Sequence, residues 1–578
     1  MVWWRNATAS ILAWAAASSA IHDVFFGPSL QPSTECVIFR VAPRLALFAT
    51  VLAALPPVQA AAADDTPPAT RSSYSDSAVD QAVARFIQTR GDKPFWIVDG
   101  APGKNARRLV QLLQHADQDG LDPQWYNAAD LAHRIDHVSD LDWERKLETD
   151  LSRALIDYVR DVRWGVVKNR MDYTDDNIDW HVPSPATILA SAAAAPDFVE
   201  WMHQIRGVNP LYRRLRLALA QIRAAPDDAY TTIPSGDLVH PGESDSRIPV
   251  LRKRLGVTVA DNSGANTPDP QQAQANNSGP GNTLDPQTVQ ALKNFQRAHG
   301  LSADGVLGPG TLAMLNQSRD AQIDLVRANM ERARWLPHGA LGAKFVLVNI
   351  PQYEVHMYQR GKEPQLIKAV VGEAGKQTPL MVDRIEYAEV NPYWNLPPDI
   401  TAKEIVPEVQ SHGVGYLRSK DMEVVRDFNP DTKPISPGSV SWTKAAALTP
   451  KFLVRQRPGK QNALGQIKFM FPNPNAIYLH DTPADSLFSR SARDDSHGCV
   501  RLGRPLDFAA WLFDGQGIDK TKFQKLIATG KHQNVGLNGA VPVYLGYFTA
   551  WPDDKGNVAF QKDVYERDSG LIAAIKKS

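Results

Sequence analysis

One cysteine and two nearby histidines are the residues of this chain best suited to chemistry. Cys499 lies in the run 496–501 (SHGCVR), and fifteen residues separate Ser496 from His480 upstream. The only other cysteine of the 578-residue chain is Cys36. A thiol attacks as its thiolate, and a free cysteine has a pKa of about 8.5, so a histidine that takes up the proton is the usual means of activation. The pattern predicts that Cys499 is a nucleophile rather than an inert buried cysteine.

The residues flanking Cys499 have types that suit acyl transfer. Gly498 allows close approach of a substrate and unusual backbone angles. Backbone N–H groups around His497 to Cys499, beside Ser496, are placed to form an oxyanion hole. Side chains at i and i+2 share a face of an extended segment, so Arg501 is a candidate to hold a substrate carboxylate beside the thiol.

Either histidine is a candidate for the base. On a strand, His497 lies on the same face as Cys499 but about 6–7 Å along the backbone, whereas His480 on a neighbouring strand can reach hydrogen-bond distance. The spacing therefore favours His480 as base and His497 as part of the pocket. A rival interpretation is a zinc site made by His480, His497 and Cys499, with Asp481 behind it.

Composition restricts the classes of function. Lys plus Arg and Asp plus Glu number 63 each, so no global field steers the chain toward nucleic acid. With 578 residues, two to four domains are expected. Two cysteines provide no disulfide framework.

The N-terminal residues have the pattern of an export signal. Arg44 precedes the apolar run 45–55, and a small-residue site ends at Ala60. The run is about half the roughly 20 residues of a membrane-spanning helix. We therefore expect a leader over 1–63 that contains a signal peptide, cleavage near Ala60 and a periplasmic protein. The apolar residues upstream are consistent with a true translation start near Val41.

A helical domain is expected over residues 77–245. Val79, Val83 and Phe86 share one helical face, with Asp76 or Ser77 as the expected N-cap. The histidines scattered through this region form no cluster that suggests a catalytic or metal site.

A smaller unit is expected over 246–318, interrupted by a polar insert over 261–282 that cannot build a core. The segment 295–315 (FQRAHGLSADGVLGPGTLAML) resembles a peptidoglycan-binding-like three-helix module. A small helical packing domain without affinity for a ligand is the alternative.

The remaining sequence is typical of a β-rich domain, expected over 343–525. Runs such as 344–350 and 467–471 are short and rich in β-formers. An irregular, Pro- and Gly-containing segment over about 394–455 is expected to form an inserted capping lobe. A C-terminal extension is expected over 526–578.

The motif from His480 to Cys499 resembles the signature of the YkuD-type L,D-transpeptidases, and the run 455–483 resembles the large Gram-negative members of that family. The resemblance implies a multidomain α+β protein with a helical scaffold, a three-helix peptidoglycan-binding-like module and a β-rich catalytic domain with a capping lobe. It also implies a carbapenem-sensitive enzyme of peptidoglycan biosynthesis, cell-wall organisation and cell shape.

Carried over residue by residue, the resemblance makes Cys499 the nucleophile and His480 the general base and acid. Cys499 would attack between the third and fourth residues of a tetrapeptide stem, release D-Ala and pass the acyl group to a second stem, which gives a 3→3 cross-link. Tyr478 and Trp394 become candidate substrate walls and Arg501 a candidate carboxylate clamp. The family most often has Asn at the position of Arg501, which separates this chain from the usual pattern.

No cofactor and no metal are expected. Peptidoglycan stem peptides are the expected partners, and other cell-wall synthesis enzymes are candidate further partners. Nucleic acid is not an expected partner. A non-catalytic cell-wall-binding protein and a zinc-dependent peptidoglycan peptidase are the alternative functions.

Overall fold

The computed structural model describes residues 75–91, 93–137, 139–167, 182–258, 281–449 and 451–578. The expected leader and residues 261–280 of the polar insert lie outside these ranges. Within them, no helix combines the length and the apolar character needed to cross a bilayer.

The first part of the described chain is helical, with one short strand pair. Ser75 caps the first helix by accepting a hydrogen bond from the Ala78 amide at 3.2 Å, so the cap is neither of the expected residues, Asp76 or Ser77. Asp76 instead lies in the first turn, where a negative charge is favourable. The elements in chain order are α1 Asp76–Arg90, β1 Ile97–Val98, β2 Ala101–Pro102, α2 Lys104–Gln114, α3 Ala128–Ile135, α4 Leu141–Trp164, α5 Pro185–Ala194, α6 Phe198–Arg206 and α7 Pro210–Ala224.

Three short helices form a second, smaller core. They are α8 Ile248–Arg254, α9 Pro286–Ala298 and α10 Pro309–Leu315, and Leu251, Leu292 and Leu315 are buried among them. Helix α11, Arg319–Arg334, follows and leads to the β-rich half.

The β-rich half is organised around a closed sheet. The strands of this half are β3 Lys344–Asn349, β4 Glu354–Gln359, β5 Gln365–Val370, β6 Met381–Val390, β7 Trp394–Asn395, β8 Met422–Val425, β9 Leu453–Gln456, β10 Ile467–Met470, β11 Leu479–His480, β12 Val500–Leu502, β13 Gln533–Gly546, β14 Ala550–Pro552 and β15 Val558–Phe560. The order of the closed sheet is β10-β11-β12-β5-β4-β3-β13-β6. Strand β11 pairs with β12 and β3 with β13 in parallel, and all other neighbours in this sheet are antiparallel.

Alternation along these strands separates the core from the outer face of the sheet. Phe469, Leu479 and Val500 are fully buried in one apolar core. Their neighbours in sequence therefore point to the other face, where the histidine and the cysteine lie.

The segment between β6 and β10 builds a lobe with its own core. Strands β7, β9 and β8 form its sheet, and Val406, Leu417 and Val454 are among its buried residues. Its helices are α12 Pro398–Ile400, α13 Val406–His412, α14 Gly415–Ser419 and α15 Lys444–Leu448, with a π-helical turn Thr401–Ile405 between the first two.

The closed sheet continues past residue 525, where we expected the C-terminal extension to begin. Strand β13 pairs with both β3 and β6, so it belongs to the sheet. The last helices are α16 Pro505–Leu512, α17 Lys520–Ala528 and α18 Asp568–Lys576. One apolar core joins the helices to residues of the β-rich half such as Leu347 and Tyr544, and a second core lies within the closed sheet. The helical and β-rich parts confirm the expected multidomain α+β class.

Candidate active site

The parallel pairing of β11 with β12 brings the two halves of the motif together. Leu479 lies opposite Val500 and His480 opposite Arg501, and the Val500 amide donates to the Tyr478 carbonyl at 3.1 Å. Because Leu479 and Val500 face the core, the side chains of Tyr478, His480, Cys499 and Arg501 share the opposite face.

The turn before Cys499 is fixed by Ser496. Its buried hydroxyl donates to the Cys499 carbonyl at 2.6 Å and accepts from the Gly498 amide at 3.1 Å. Gly498 has φ +111°, a conformation that side-chain-bearing residues rarely adopt. Within the described ranges no acceptor bonds the Cys499 amide, so Cys499 N–H, rather than Gly498 N–H, is the free donor beside the sulfur.

Cys499 is partly buried. Its Sγ lies 3.7 Å from the Ala476 carbonyl and also bonds the Tyr478 hydroxyl. Burial raises the pKa of the thiol, while the Tyr478 hydrogen bonds and the positive charges of Lys468 and Arg501 act in the opposite direction. Burial and the nearby thiol raise the pKa of the Tyr478 hydroxyl well above its ordinary range, so it stays a hydrogen-bond donor.

His480 is buried and neutral. Burial, then the charges of Arg501 and Lys468, lower the pKa of its imidazole to about 3. Its Nδ1 lies 2.5 Å from the Asp481 carbonyl, which can only accept, so Nδ1 carries the proton and Nε2 keeps a lone pair. Among the contacts of the described chain, none joins His480 to Cys499 by a hydrogen bond; the two share a face, one register position apart.

A buried ion pair lies beside these residues and was not foreseen from the sequence. Lys468 is the register partner of both His480 and Glu389, and its Nζ lies 3.3 Å from a Glu389 carboxylate oxygen. The same Nζ lies 4.4 Å from the centre of the Tyr478 ring. A lysine in the otherwise apolar strand 467–470 was the signal that could have identified it.

The other predicted site residues are held in different ways. His497 is half-exposed and contacts Glu404 of the lobe, with Nε2 2.6 Å from Oε1. Arg501 has a buried Nε without a hydrogen-bond partner in the described structure. Trp394 packs against the core of the lobe.

In the part of the chain that the structure describes, no group of three or more His, Cys, Asp and Glu side chains is arranged to hold a metal ion. One ring nitrogen of His480 faces the Asp481 carbonyl, and one ring nitrogen of His497 faces Glu404. Each of these nitrogens is therefore engaged in a hydrogen bond.

Three family models match the chain. Residues 343–536 match the YkuD model, the L,D-transpeptidase catalytic domain. Residues 81–219 match a scaffold domain, and residues 272–315 match a domain described as "Putative peptidoglycan binding domain".

Individual proteins are also similar. A Haemophilus influenzae protein named "Putative L,D-transpeptidase" is 31% identical over 246 residues, which cover 43% of this chain and 48% of that protein. The chain thus spans about half the length of this relative.

Two solved structures are similar to parts of the chain. An L,D-transpeptidase from Mycobacterium smegmatis is 14% identical over 36% of this chain and 60% of its own, with a TM-score of 0.18. An L,D-transpeptidase from Xylanimonas cellulosilytica is 16% identical over 54% and 98%, with a TM-score of 0.16. Residues 343–536 therefore form a YkuD-type L,D-transpeptidase catalytic domain, which follows a scaffold domain and a peptidoglycan-binding domain in the chain.

Proposed function

We propose that the protein is a cysteine-dependent L,D-transpeptidase that forms 3→3 cross-links between peptidoglycan stem peptides. The observation that carries the proposal is the pairing of β11 with β12, which presents His480 and Cys499 on one face beside a free backbone donor. Tetrapeptide stems are the proposed acyl donors, and the side-chain amine of a second stem is the proposed acceptor.

In the acylation half, the Cys499 thiol gives its proton to Nε2 of His480. For this step Nε2 has to approach Sγ, which the shared face of the two strands allows. The thiolate forms a bond to the carbonyl carbon of the third stem residue, and the C=O electron pair moves onto oxygen, which accepts from Cys499 N–H. The C–N bond then breaks, and the departing D-Ala nitrogen takes the proton from His480.

In the transfer half, the acceptor amine attacks the thioester carbon while His480 takes its proton. The C–S bond breaks and the sulfur regains a proton. Arg501 is proposed to bind a stem carboxylate through its guanidinium group, and Tyr478 and Trp394 are proposed as walls of the stem-binding groove.

The deciding experiment incubates the purified protein with disaccharide-tetrapeptide and identifies products by mass. A 3→3 dimer and released D-Ala are expected, and meropenem should give one covalent adduct that Cys499→Ala lacks. An equal adduct on Cys499→Ala would refute the assignment of the nucleophile. Activity that a chelator abolishes would support the zinc-dependent peptidase, and complete inertness would support a non-catalytic wall-binding protein.

We also propose that the protein is periplasmic and works with other cell-wall synthesis enzymes. The leader pattern predicts that protein recovered from the periplasm begins close to Ala61. N-terminal sequencing tests this, and an uncleaved form embedded in the membrane would contradict it.

A further inference from the structure

The Gly498–Cys499 peptide group is held from one side by a threonine distant in sequence. The Thr378 hydroxyl donates to the Gly498 carbonyl at 2.7 Å and accepts from the Gly372 amide at 2.9 Å. Because a carbonyl oxygen can only accept, the hydroxyl proton of Thr378 is directed at Gly498. Thr378 is fully buried, so water does not compete for these bonds.

A tyrosine from the last fifty residues of the chain closes this arrangement. The Tyr565 hydroxyl donates to the Gly372 carbonyl at 2.6 Å and accepts from the Thr378 amide at 3.2 Å. The Tyr565 amide in turn donates to the Tyr547 hydroxyl at 2.8 Å. Tyr565 lies beyond the residues 343–536 that match the catalytic domain.

The position of the Gly498 oxygen decides where the Cys499 N–H points. Both belong to one planar trans peptide group, in which the C=O and N–H bonds point in opposite directions. Gly498 itself, with φ +111°, offers little conformational resistance to rotation of this group. A hydroxyl bonded to the carbonyl therefore fixes the donor that faces a developing oxyanion.

We propose that Thr378 and Tyr565 are positioning residues that hold the Gly498–Cys499 peptide in the orientation needed for oxyanion stabilisation, so that the C-terminal segment is part of the catalytic apparatus. The inference rests on acyl transfer by Cys499 and deepens the proposed function. Neither residue touches a substrate; both act through the amide of Cys499.

The test compares two reactions of the same thiol in the full-length protein. Acetylation by p-nitrophenyl acetate forms the S–C bond, expels p-nitrophenolate and passes through an oxyanion. Alkylation by iodoacetamide displaces iodide and forms no oxyanion. Both are followed by the mass of the peptide that contains Cys499, and folding is followed by circular dichroism.

Thr378→Val removes the donor and keeps the shape. Loss of one oxyanion-hole donor costs about 10²- to 10³-fold in rate, so a donor that is present but free to turn should cost at least about tenfold in acetylation. Thr378→Ser should recover acetylation to within about threefold of wild type, and Tyr565→Phe should lower it about three- to tenfold. Alkylation and its pH profile should change less than about twofold in all three variants.

Tyr544→Phe is the matched control, because the buried Tyr544 hydroxyl also donates to a backbone carbonyl, that of Leu341 at 2.7 Å. It should change neither reaction. The inference would be overturned if Thr378→Val lost acetylation and alkylation equally or did not lose acetylation at all. It would also be overturned if Thr378→Ser failed to restore the acetylation rate. If Thr378→Val does not fold, the acetylation-to-alkylation ratio of Tyr565→Phe decides alone.

The acyl donor in this test contains no peptidoglycan, so its outcome is separate from that of the proposed function. Selective loss of acetylation in a protein that is inert toward disaccharide-tetrapeptide would support the positioning role and refute the transpeptidase. A wild-type thiol that is alkylated but never acetylated would overturn the positioning role, since no oxyanion site would exist to position.

Discussion

Removing the charge of Lys468 should slow the reaction of Cys499, and removing the charge of Glu389 should accelerate it. The ammonium favours the thiolate and the carboxylate opposes it, although the two side chains are paired 3.3 Å apart. Lys468→Met and Glu389→Gln keep much of the side-chain volume. The opposite signs separate an electrostatic effect from a packing effect.

The sheet order gives the expected size. Two strand spacings separate β10 from β12, about 10 Å, so an effective dielectric constant of 20 gives about 1.7 kcal/mol, or roughly 17-fold in thiolate population. A more basic thiolate is a better nucleophile, which restores about half of the loss on a logarithmic scale. We therefore expect Lys468→Met to lower the alkylation rate near neutral pH about fourfold.

Glu389 lies on β6, one strand further away, at about 15 Å, which corresponds to about 1.1 kcal/mol by the same relation. With the same compensation by nucleophilicity, Glu389→Gln should raise the rate about threefold. The double variant should fall between the two single variants.

The assay is the rate of iodoacetamide alkylation of Cys499 as a function of pH, read from peptide mass. Because burial raises the pKa of the thiol and His480 is neutral, the wild-type rate should still be rising above neutral pH. A slower reaction in both single variants would show that packing dominates. A wild-type rate already at its plateau at pH 6 would refute the neutral thiol–imidazole pair.

Three further predictions concern the base, the lobe and acid stability. His480→Ala should lower acylation by meropenem at least about 100-fold, whereas His497→Ala should retain most of it; the reverse ranking would exchange their roles. A short Gly/Ser linker can replace the lobe between Asn395 and Arg455, which lie opposite each other on β7 and β9. The domain should stay folded, and cross-linking should weaken far more than acylation by meropenem, because the lobe is predicted to order stems and exclude water. Equal losses in a folded variant would exclude this lid role. Burial lowers the pKa of His299 to about 4 from its ordinary 6.5, so between these pH values the unfolded state binds one more proton than the folded state. The free energy of unfolding should therefore fall by up to about 3 kcal/mol as pH falls from 6.5 to 4. Urea unfolding should show a smaller fall in His299→Asn, and the same dependence on pH in that variant would contradict this assignment.

Periodicity identified the first helix. Val79 and Val83, two residues of its predicted apolar face, are buried in α1. Helix α9 begins at Pro286, because Asp285 caps it and Pro286 fits the first turn.

Two strands of the closed sheet escaped sequence analysis for physical reasons. Strand β6 mixes buried and half-exposed positions and carries four charged residues, so it lacks an apolar run. Strand β13 contains Gly536, Gly539 and Pro542 and changes register between Gly536 and Val541, features that normally argue against a strand.

The candidate site was predictable where its residues are close in sequence. His480 and Cys499 are recognised from their spacing in the sequence, and the parallel pairing of β11 with β12 agrees with that spacing. Thr378 and Tyr565 reach the same turn only through the closed topology, and no local pattern marks them. Their placement required the fold.

The way β13 closes the sheet has a consequence for the order of folding. It pairs in parallel with β3 and antiparallel with β6, so the ring cannot close before the chain from Lys344 to Gly546 is present. Until then β3 and β6 are open edges, and pairings of such long sequence separation form slowly. A nascent or truncated chain that contains Cys499 but lacks β13 therefore carries the proposed nucleophile without a closed sheet to support it, and its open strands are exposed to aggregation.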